Sequence, residues 1–307
     1  WVAATDYRGE MTVSDEILKR TADSYRRIRN TARFLLANLA GFDPAEHLVP
    51  LDNMVALDRW AVHKAATVQK DIIANYTSYQ FHTIYQKIHN FCAVDMGAFY
   101  LDVIKDRQYT AATESHARRS AQSALYHIVE ALVRWIAPIL SFTADEIWPE
   151  IPGKRGESVF LETWYEDLAE FDGSEELNDQ YWQQILDIKT AVNKQIEVAR
   201  KERNLKASLD TEVDLYCNPD ISAHLEQLQE EARFVFITSA VRVHGLSDEG
   251  EATDIEGLRV KVSASEHDKC VRCWHHRPEV GSIQAHPELC QRCVENVEGD
   301  GEVRHYA

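Results

Sequence analysis

The sequence predicts a mainly α protein, in which a helical bundle is followed by a small α+β unit and a C-terminal cysteine-rich module. Apolar residues recur every three or four positions through most of the first part of the chain. The apolar spacing changes to alternation at Leu209, and two Cys-x2-Cys pairs follow near the end. We predict divisions at 1–150 for the bundle, 151–265 for a long helix plus a small α+β domain, and 266–307 for the module.

The pattern of apolar residues over 1–150 indicates four or five amphipathic helices with short connections, which predicts a bundle. Ser14 is the expected N-cap of a long helix that ends at Gly41. The apolar stripe of this helix is expected to comprise Leu18, Ala22, Tyr25, Ile28, Ala32, Leu35 and Leu39. After a loop at Phe42–Pro50, further helices are expected over Leu57–Tyr79, Phe81–Ile104 and Ser115–Pro138, with a capping box at Thr143–Glu146.

Prolines and glycines between Pro149 and Gly156 mark a boundary, after which the period changes. The remaining elements are predicted as a strand at Val159–Leu161, a helix from Ser174 to Arg203, a strand over Leu209–Leu215, a helix from Pro219 to Phe236, strands at Ala240–Val243 and Leu258–Val262, and a solvated acidic loop at Ser247–Gly257.

Two closely spaced cysteine pairs indicate a structural zinc site with Cys270, Cys273, Cys290 and Cys293 as ligands. A disulfide framework is the main alternative, but most of the cysteines lie together in one short segment. A redox dithiol is a weaker alternative, because there are two pairs and neither lies in a βαβ pattern. Four protein ligands leave no open coordination position, so we expect the zinc to fold the module and not to catalyse.

The composition limits the partners of the chain. A formal net charge of −17 argues against nonspecific binding to nucleic acid or to an anionic membrane. No apolar run approaches the length that a membrane-spanning helix needs. Cys92 and Cys217 have no evident partner, which favours a reducing, cytoplasmic setting.

The first long helix carries a line of cations in this acidic chain. Lys19, Arg26 and Arg33 fall on one side of the helix, and Arg29 lies between them. An ordinary solvated face explains such a line as well as a binding site does, because like charges on a helix cost only a few tenths of a kcal/mol each.

Several stretches resemble one family, the class I aminoacyl-tRNA synthetases, in their anticodon-binding helical domain. The resemblance rests on Trp1–Tyr7, Ser14–Leu18, Tyr25–Leu36, Phe99–Tyr109 and Ala137–Trp148. The tail, Lys269–His275 with Cys290–Cys293 and Gly299–Glu302, is similar to the C-terminal zinc module of bacterial isoleucyl-tRNA synthetases. Together these stretches cover essentially the whole chain, and the zinc tail separates the isoleucine enzymes from their valine, leucine and methionine relatives.

The resemblance implies a tRNA-binding C-terminal region of an isoleucine–tRNA ligase. It implies recognition of the anticodon region of tRNA(Ile), in the cytoplasm and as a monomer, with no DNA or membrane partner expected. The HIGH and KMSKS signatures, a G-x-G-x-x-G motif and a P-loop do not occur in the sequence. We therefore expect the catalytic domain, with its ATP and Mg, and the editing domain to be missing, and the chain to be inactive in aminoacylation alone.

Within that resemblance, Arg272 and Trp274 become candidate anticodon contacts, because a metal-pinned loop presents a base-stacking ring at low entropic cost. The cation line Lys19, Arg26, Arg29 and Arg33 becomes a candidate for backbone phosphates. A structural explanation is also open, in which Trp274 packs under the zinc loop and Arg272 offsets thiolate charge. Lys269 and Arg292 fit that charge-offset role better.

Two other hypotheses from different classes remain. The chain is alternatively a stand-alone zinc-ribbon scaffold that binds proteins or nucleic acid, including DNA as in repair glycosylases. In a third, purely structural hypothesis, the zinc tail only caps the α+β unit.

Overall fold

A computed structural model describes residues 1–171, 176–203 and 205–307, without the side chain of residue 203. These residues form two compact units. Unit 1 comprises Trp1–Asp102 and Arg119–Asp172, and unit 2 comprises Val103–Arg118 and Gly173–Ala307. No helix among the described residues is both long and apolar enough to cross a membrane.

The helices are α1 (Asp15–Asn38), α2 (Pro44–His47), α3 (Ala56–Thr77), α4 (Phe81–Asn90, continued by a π-helical segment over Phe91–Tyr100), α5 (Leu101–Thr110), α6 (His116–Ile136), α7 (Ser141–Ile147), α8 (Asp179–Arg203), α9 (Pro219–Glu226), α10 (Ala232–Phe236) and α11 (Gln291–Glu298). The strands are β1 (Thr211–Cys217), β2 (Ala240–Gly245), β3 (Glu251–Ala252) and β4 (Leu258–Ala264).

Unit 1 is a helical bundle. Large apolar side chains from α3, α4, its π-helical continuation and α6 fill its core, and the ring of Trp135 meets that of Phe91 edge-on at 5.2 Å between centroids. Within the π-helical segment, the carbonyl of Cys92 accepts a hydrogen bond from the Thr31 hydroxyl at 3.2 Å. Gly97 is required there, because a Cβ at that position would lie 2.9 Å from the Cys92 oxygen.

Unit 2 contains a four-stranded mixed sheet in the order β2-β1-β4-β3. β1 pairs parallel to β2 and antiparallel to β4, and β3 adds a short antiparallel edge to β4. The buried face of α8, which includes Trp182 and Ile185, closes one side of this core. Lys189 is also buried, and its ammonium donates to the Val235 carbonyl at 2.7 Å, so this lysine supports the core and not a charged surface.

The structure confirms the mainly α class and most predicted helices, with corrections in unit 1. The first buried side chain of α1 is that of Ile28. Leu18 (46% exposed) and Ala22 therefore lie on earlier turns of the helix, outside the core. Val159–Leu161 is a 3-10 turn instead of a strand, capped by the preceding serine hydroxyl. The capping-box prediction was wrong, since α7 already begins at Ser141 and the Thr143 hydroxyl lies 3.1 Å from the hydroxyl of Tyr25.

Other boundaries also differ from the predictions. The predicted loop after Gly41 contains α2, and the third long helix continues to Thr110. The predicted helix from Pro219 to Phe236 is divided into α9 and α10, because Gln229 adopts a left-handed backbone with φ of 49°. The acidic loop contains β3. The predicted start of the long helix at Ser174 lies outside the described residues, and α8 is described from Asp179.

Candidate metal centre and nucleic-acid interface

The structure brings the four predicted cysteine ligands together in unit 2. All four side chains are buried, and their sulfur atoms lie within 4.8 Å of one another. The sulfur atoms of Cys273 and Cys290 are 3.7 Å apart. Four thiolates around a zinc ion at about 2.3 Å would be separated by about 3.8 Å, so the cluster has the dimensions of a tetrahedral site. The cysteines are free, which excludes the disulfide alternative for this cluster.

Backbone hydrogen bonds fold the first cysteine pair into a tight knuckle. The Cys270 amide donates to the His275 carbonyl at 2.9 Å, and the Trp274 amide donates to the Cys270 carbonyl at 2.9 Å. The amide of Cys290 donates to the Cys270 sulfur at 3.4 Å. Hydrogen bonds among the closely packed thiols lower the pKa of Cys290 and raise the pKa of Cys293, so the sulfur atoms titrate together and not independently.

Trp274 extends from this knuckle into solvent. Its side chain is 62% exposed, and its backbone is left-handed with φ of 66°. That conformation favours glycine and costs a residue with a side chain roughly 1–2 kcal/mol. The ammonium of Lys269 lies 5.8 Å from the centroid of the indole ring and 3.7 Å from a carboxylate oxygen of Asp210. Trp274 therefore does not pack under the zinc loop.

Arg272 has a docking contact in this structure. Although the residue is exposed, its guanidinium donates to the carbonyl oxygen of Thr110 at 3.2 Å. Thr110 is the last residue of α5, where unpaired carbonyls and the helix dipole favour a cation. The contact holds the knuckle against the end of α5.

An ion network centred on Asp106 fixes the second cysteine pair to the same helix. Arg292, which lies between Cys290 and Cys293, donates to both carboxylate oxygens of Asp106 at 2.7 and 2.8 Å. The guanidinium of Arg304 donates to Asp106 at 2.8 Å, and both arginines also bind Glu302. Arg292 thus forms ion pairs in addition to any offset of thiolate charge.

Sequence reasoning did not single out Asp106, Glu302 or Arg304. The available signal was that Asp106 and Glu302 lie inside stretches that carry the family resemblance. Burial alone would raise the pKa of the Asp106 carboxyl, but the guanidinium groups of Arg292 and Arg304 hold it well below its usual range. Asp106 therefore stays ionised at neutral pH.

The predicted cation line on α1 is exposed to solvent in unit 1. Lys19, Arg26, Arg29 and Arg33 are all exposed. Arg26 pairs with Asp23 one turn away, which leaves its charge partly neutralised. The phosphate role of these four residues stays a prediction.

The described residues combine a helical bundle with a second unit in which a small mixed sheet carries a four-cysteine module with an exposed tryptophan ring. Comparison with known proteins identifies the family. Residues 58–215 match the anticodon-binding domain of tRNA ligase, and residues 268–296 match the zinc finger found in FPG and IleRS. The chain belongs to the anticodon-binding domain family of tRNA ligases. The second match and the sulfur geometry support a structural zinc ion in the four-cysteine cluster.

Curated relatives match the chain along its whole length. It is 62% identical over 311 residues to an isoleucine–tRNA ligase from Marinomonas sp. (strain MWYL1) and 60% identical over 308 residues to one from Saccharophagus degradans. A third isoleucine–tRNA ligase, from Thioalkalivibrio sulfidiphilus, is 59% identical over 313 residues. In each case all of this chain aligns with 33% of the relative, so the chain spans about a third of the length of these relatives.

The zinc assignment predicts that one serine substitution abolishes metal binding. In Cys293→Ser we expect zinc, measured by mass spectrometry of the metal, to fall from one ion per chain to near zero, because a neutral hydroxyl replaces a thiolate. Cys217→Ser is the matched control, since Cys217 lies outside the cluster. Retention of a full zinc equivalent by Cys293→Ser would contradict the assignment.

The Asp106 network predicts a pH-dependent loss of stability in Asp106→Asn. At pH 7 the variant should lose about 3–5 kcal/mol in the free energy of unfolding of unit 2, because two buried guanidinium groups lose a charged partner. Since the native pKa is lowered, the wild-type advantage is present above the unfolded pKa of about 4 and declines as the pH falls below it. Urea unfolding at several pH values measures the difference, and equal stability at pH 7 would contradict it.

Proposed function

We propose that this chain binds the anticodon region of tRNA(Ile) as part of an isoleucine–tRNA ligase in protein biosynthesis. A complete ligase would use this contact to select the tRNA to which its catalytic domain attaches isoleucine with ATP and Mg. The observation that carries the proposal is the exposed Trp274 on a metal-pinned knuckle. The family match and the isoleucine–tRNA ligase relatives support it.

The left-handed backbone at Trp274 favours a binding role for its ring. Glycine would fit this position without strain, yet tryptophan, which has the largest side chain of any residue, occupies it and is exposed to solvent. Strained residues of this kind cluster at functional sites, where the surroundings hold them. A splayed base stacked on the indole contributes roughly 1–3 kcal/mol. The knuckle fixes the backbone in advance, so little further entropy is lost when RNA binds.

Four thiolates, from Cys270, Cys273, Cys290 and Cys293, are proposed as the zinc ligands. Their role is to hold the loop that carries Arg272 and Trp274, and not to supply chemistry. Arg272 docks this loop on Thr110 and is proposed, with Trp274, as an anticodon contact. We keep the division into 1–150, 151–265 and 266–307 as the proposed domain organisation.

The exposed cations of α1, namely Lys19, Arg26, Arg29 and Arg33, are proposed to contact backbone phosphates of the tRNA. Phosphate contacts set the position of the RNA and carry no sequence information. Specificity would therefore arise at Trp274 and its neighbours, and affinity from both surfaces.

We further propose that the chain acts as a monomer in the cytoplasm, without DNA as a partner and without aminoacylation activity of its own. Isoleucine-dependent exchange of pyrophosphate into ATP by this chain alone would contradict the last point. A stand-alone scaffold is the alternative function, and filter binding of tRNA with and without an isoleucine anticodon distinguishes the two. If the zinc module is only a cap, chelation should leave tRNA affinity intact.

Trp274→Gly tests the contribution of the indole ring to binding while keeping the backbone conformation of the loop. We expect unchanged or higher thermal stability, because glycine adopts the left-handed backbone freely. The affinity for tRNA with an isoleucine anticodon should fall roughly tenfold through loss of stacking. Filter binding against a tRNA with another anticodon is the control, and an equal loss on both RNAs would refute a selective stacking role.

Arg33→Gln tests the phosphate surface on α1. Affinity should weaken evenly for all tRNAs, and the slope of log affinity against log salt should decrease by about one counterion. Arg20→Gln is a matched control on the same helix, because Arg20 is already paired with Glu16 at 2.5 Å. An unchanged salt slope in Arg33→Gln would indicate that this face is only solvated.

A further inference from the structure

A second exposed aromatic ring lies beside the zinc module in unit 2. Tyr109, in the last turn of α5, is 61% exposed. The proposed function does not use it. Lys105 lies one turn earlier on the same helix and is also exposed. Residues four apart share one side of a helix, so Lys105 and Tyr109 form a cationic and aromatic line.

The contacts of α5 place this line next to the knuckle. Asp106 and Thr110, also four apart, both bind Arg292, at 2.7 Å from a carboxylate oxygen and 3.3 Å from the hydroxyl. The zinc module therefore docks on the Asp106 and Thr110 side of the helix. Successive helical residues are separated by 100°, so Lys105 and Tyr109 occupy the adjacent side, at the edge of the docked module.

The same contacts bring Tyr109 near the loop of Trp274. Arg272 donates to the carbonyl of Thr110, the residue that follows Tyr109, and Trp274 is two residues beyond Arg272. Arg272 thus links the end of the helix that carries Tyr109 to the loop that carries Trp274. The bidentate pair between Arg292 and Asp106 holds the helix that carries one ring against the module that carries the other.

The charges around these rings favour an anionic ligand. Lys105 lies one helical turn from Tyr109, and the ammonium of Lys269 lies 5.8 Å from the centroid of the Trp274 ring. Arg272 is two residues from Trp274, and all three cations are exposed in a chain whose formal net charge is −17. Exposed rings with interspersed cations are the usual surface for unpaired nucleotides, since each base offers a face for stacking and each phosphate attracts a cation. A duplex offers no splayed bases to such rings, so the surface fits a single-stranded loop.

We propose that Tyr109 is a second stacking site for an unpaired nucleotide of the RNA loop, with Lys105 beside it for a phosphate. This inference rests on the proposed function and deepens it. Trp274 and Tyr109 would hold different nucleotides of one loop, on two elements joined by Arg272 and Arg292. The bound loop would therefore span the zinc module and the end of α5.

The experiment measures binding of the zinc-loaded full chain to an anticodon stem-loop RNA with an isoleucine anticodon. Tyr109→Ala should weaken binding roughly tenfold, whereas Tyr109→Phe, which keeps the ring, should bind like wild type. Phe142→Ala is the matched control, because Phe142 is 90% exposed in unit 1. Circular dichroism and zinc content establish that each variant is folded.

A second measurement assigns the nucleotides. Placing 2-aminopurine at single loop positions reports stacking by fluorescence quenching. We expect Tyr109→Ala to remove the quenching at one position and Trp274→Gly to remove it at another. Lys105→Gln should reduce the salt slope by about one counterion.

The outcomes separate this inference from the proposed function. If wild type binds and Trp274→Gly weakens binding while Tyr109→Ala does not, the Tyr109 site is refuted and the proposed function stands. If wild type does not bind the stem-loop, both are refuted. Equal losses in Tyr109→Ala and Phe142→Ala would indicate a nonspecific effect and would also refute the site.

Discussion

The bidentate pairing of Arg292 with Asp106 is the interaction on which the organisation of unit 2 around the zinc module depends. Arg292 lies between two cysteines of the cluster, so the metal site fixes where its guanidinium points. Asp106 lies on α5, and its charge is shared with Arg304. Because Glu302 completes a set of two acids and two arginines, the buried charges balance. A partly satisfied network of this kind would be worse than an apolar contact.

The contacts of the knuckle explain how the chain tolerates a strained tryptophan. A left-handed residue with a side chain relaxes unless its surroundings fix the backbone. At Trp274 the amide is held by the Cys270 carbonyl, the cysteine pair is held by the cluster, and Arg272 ties the loop to Thr110. Most of the ring itself stays in solvent. The backbone strain at Trp274 is therefore held by contacts of the loop that do not involve the indole ring.

The features that depend on residues close together in the sequence, such as a helix cap and a metal-ligand spacing, were predictable. Ser14 caps α1 as expected, and the cysteine spacing predicted the cluster, because both rest on neighbouring residues and ligand geometry. Long-range contacts were not predictable in the same way. Leu18 matches the helical period but lies beyond the core, and Asp106 is unremarkable until Arg292, nearly 190 positions later, is placed beside it. The role of Lys189 likewise depends on a carbonyl of α10.

The distribution of charge indicates how an acidic chain can bind an anionic loop. In unit 2, Arg242, Arg292 and Arg304 are paired with internal acids, so they add little to the field outside the protein. Exposed cations near the module are few, and Lys269 is shared with Asp210. Stacking on an exposed ring involves no net charge on the ring, so salt screens it less than it screens a contact between a cation and a phosphate. We therefore infer that recognition at this end relies mainly on Trp274 and Tyr109, with charge as the smaller contribution, and that affinity there is less salt-dependent than on a basic groove.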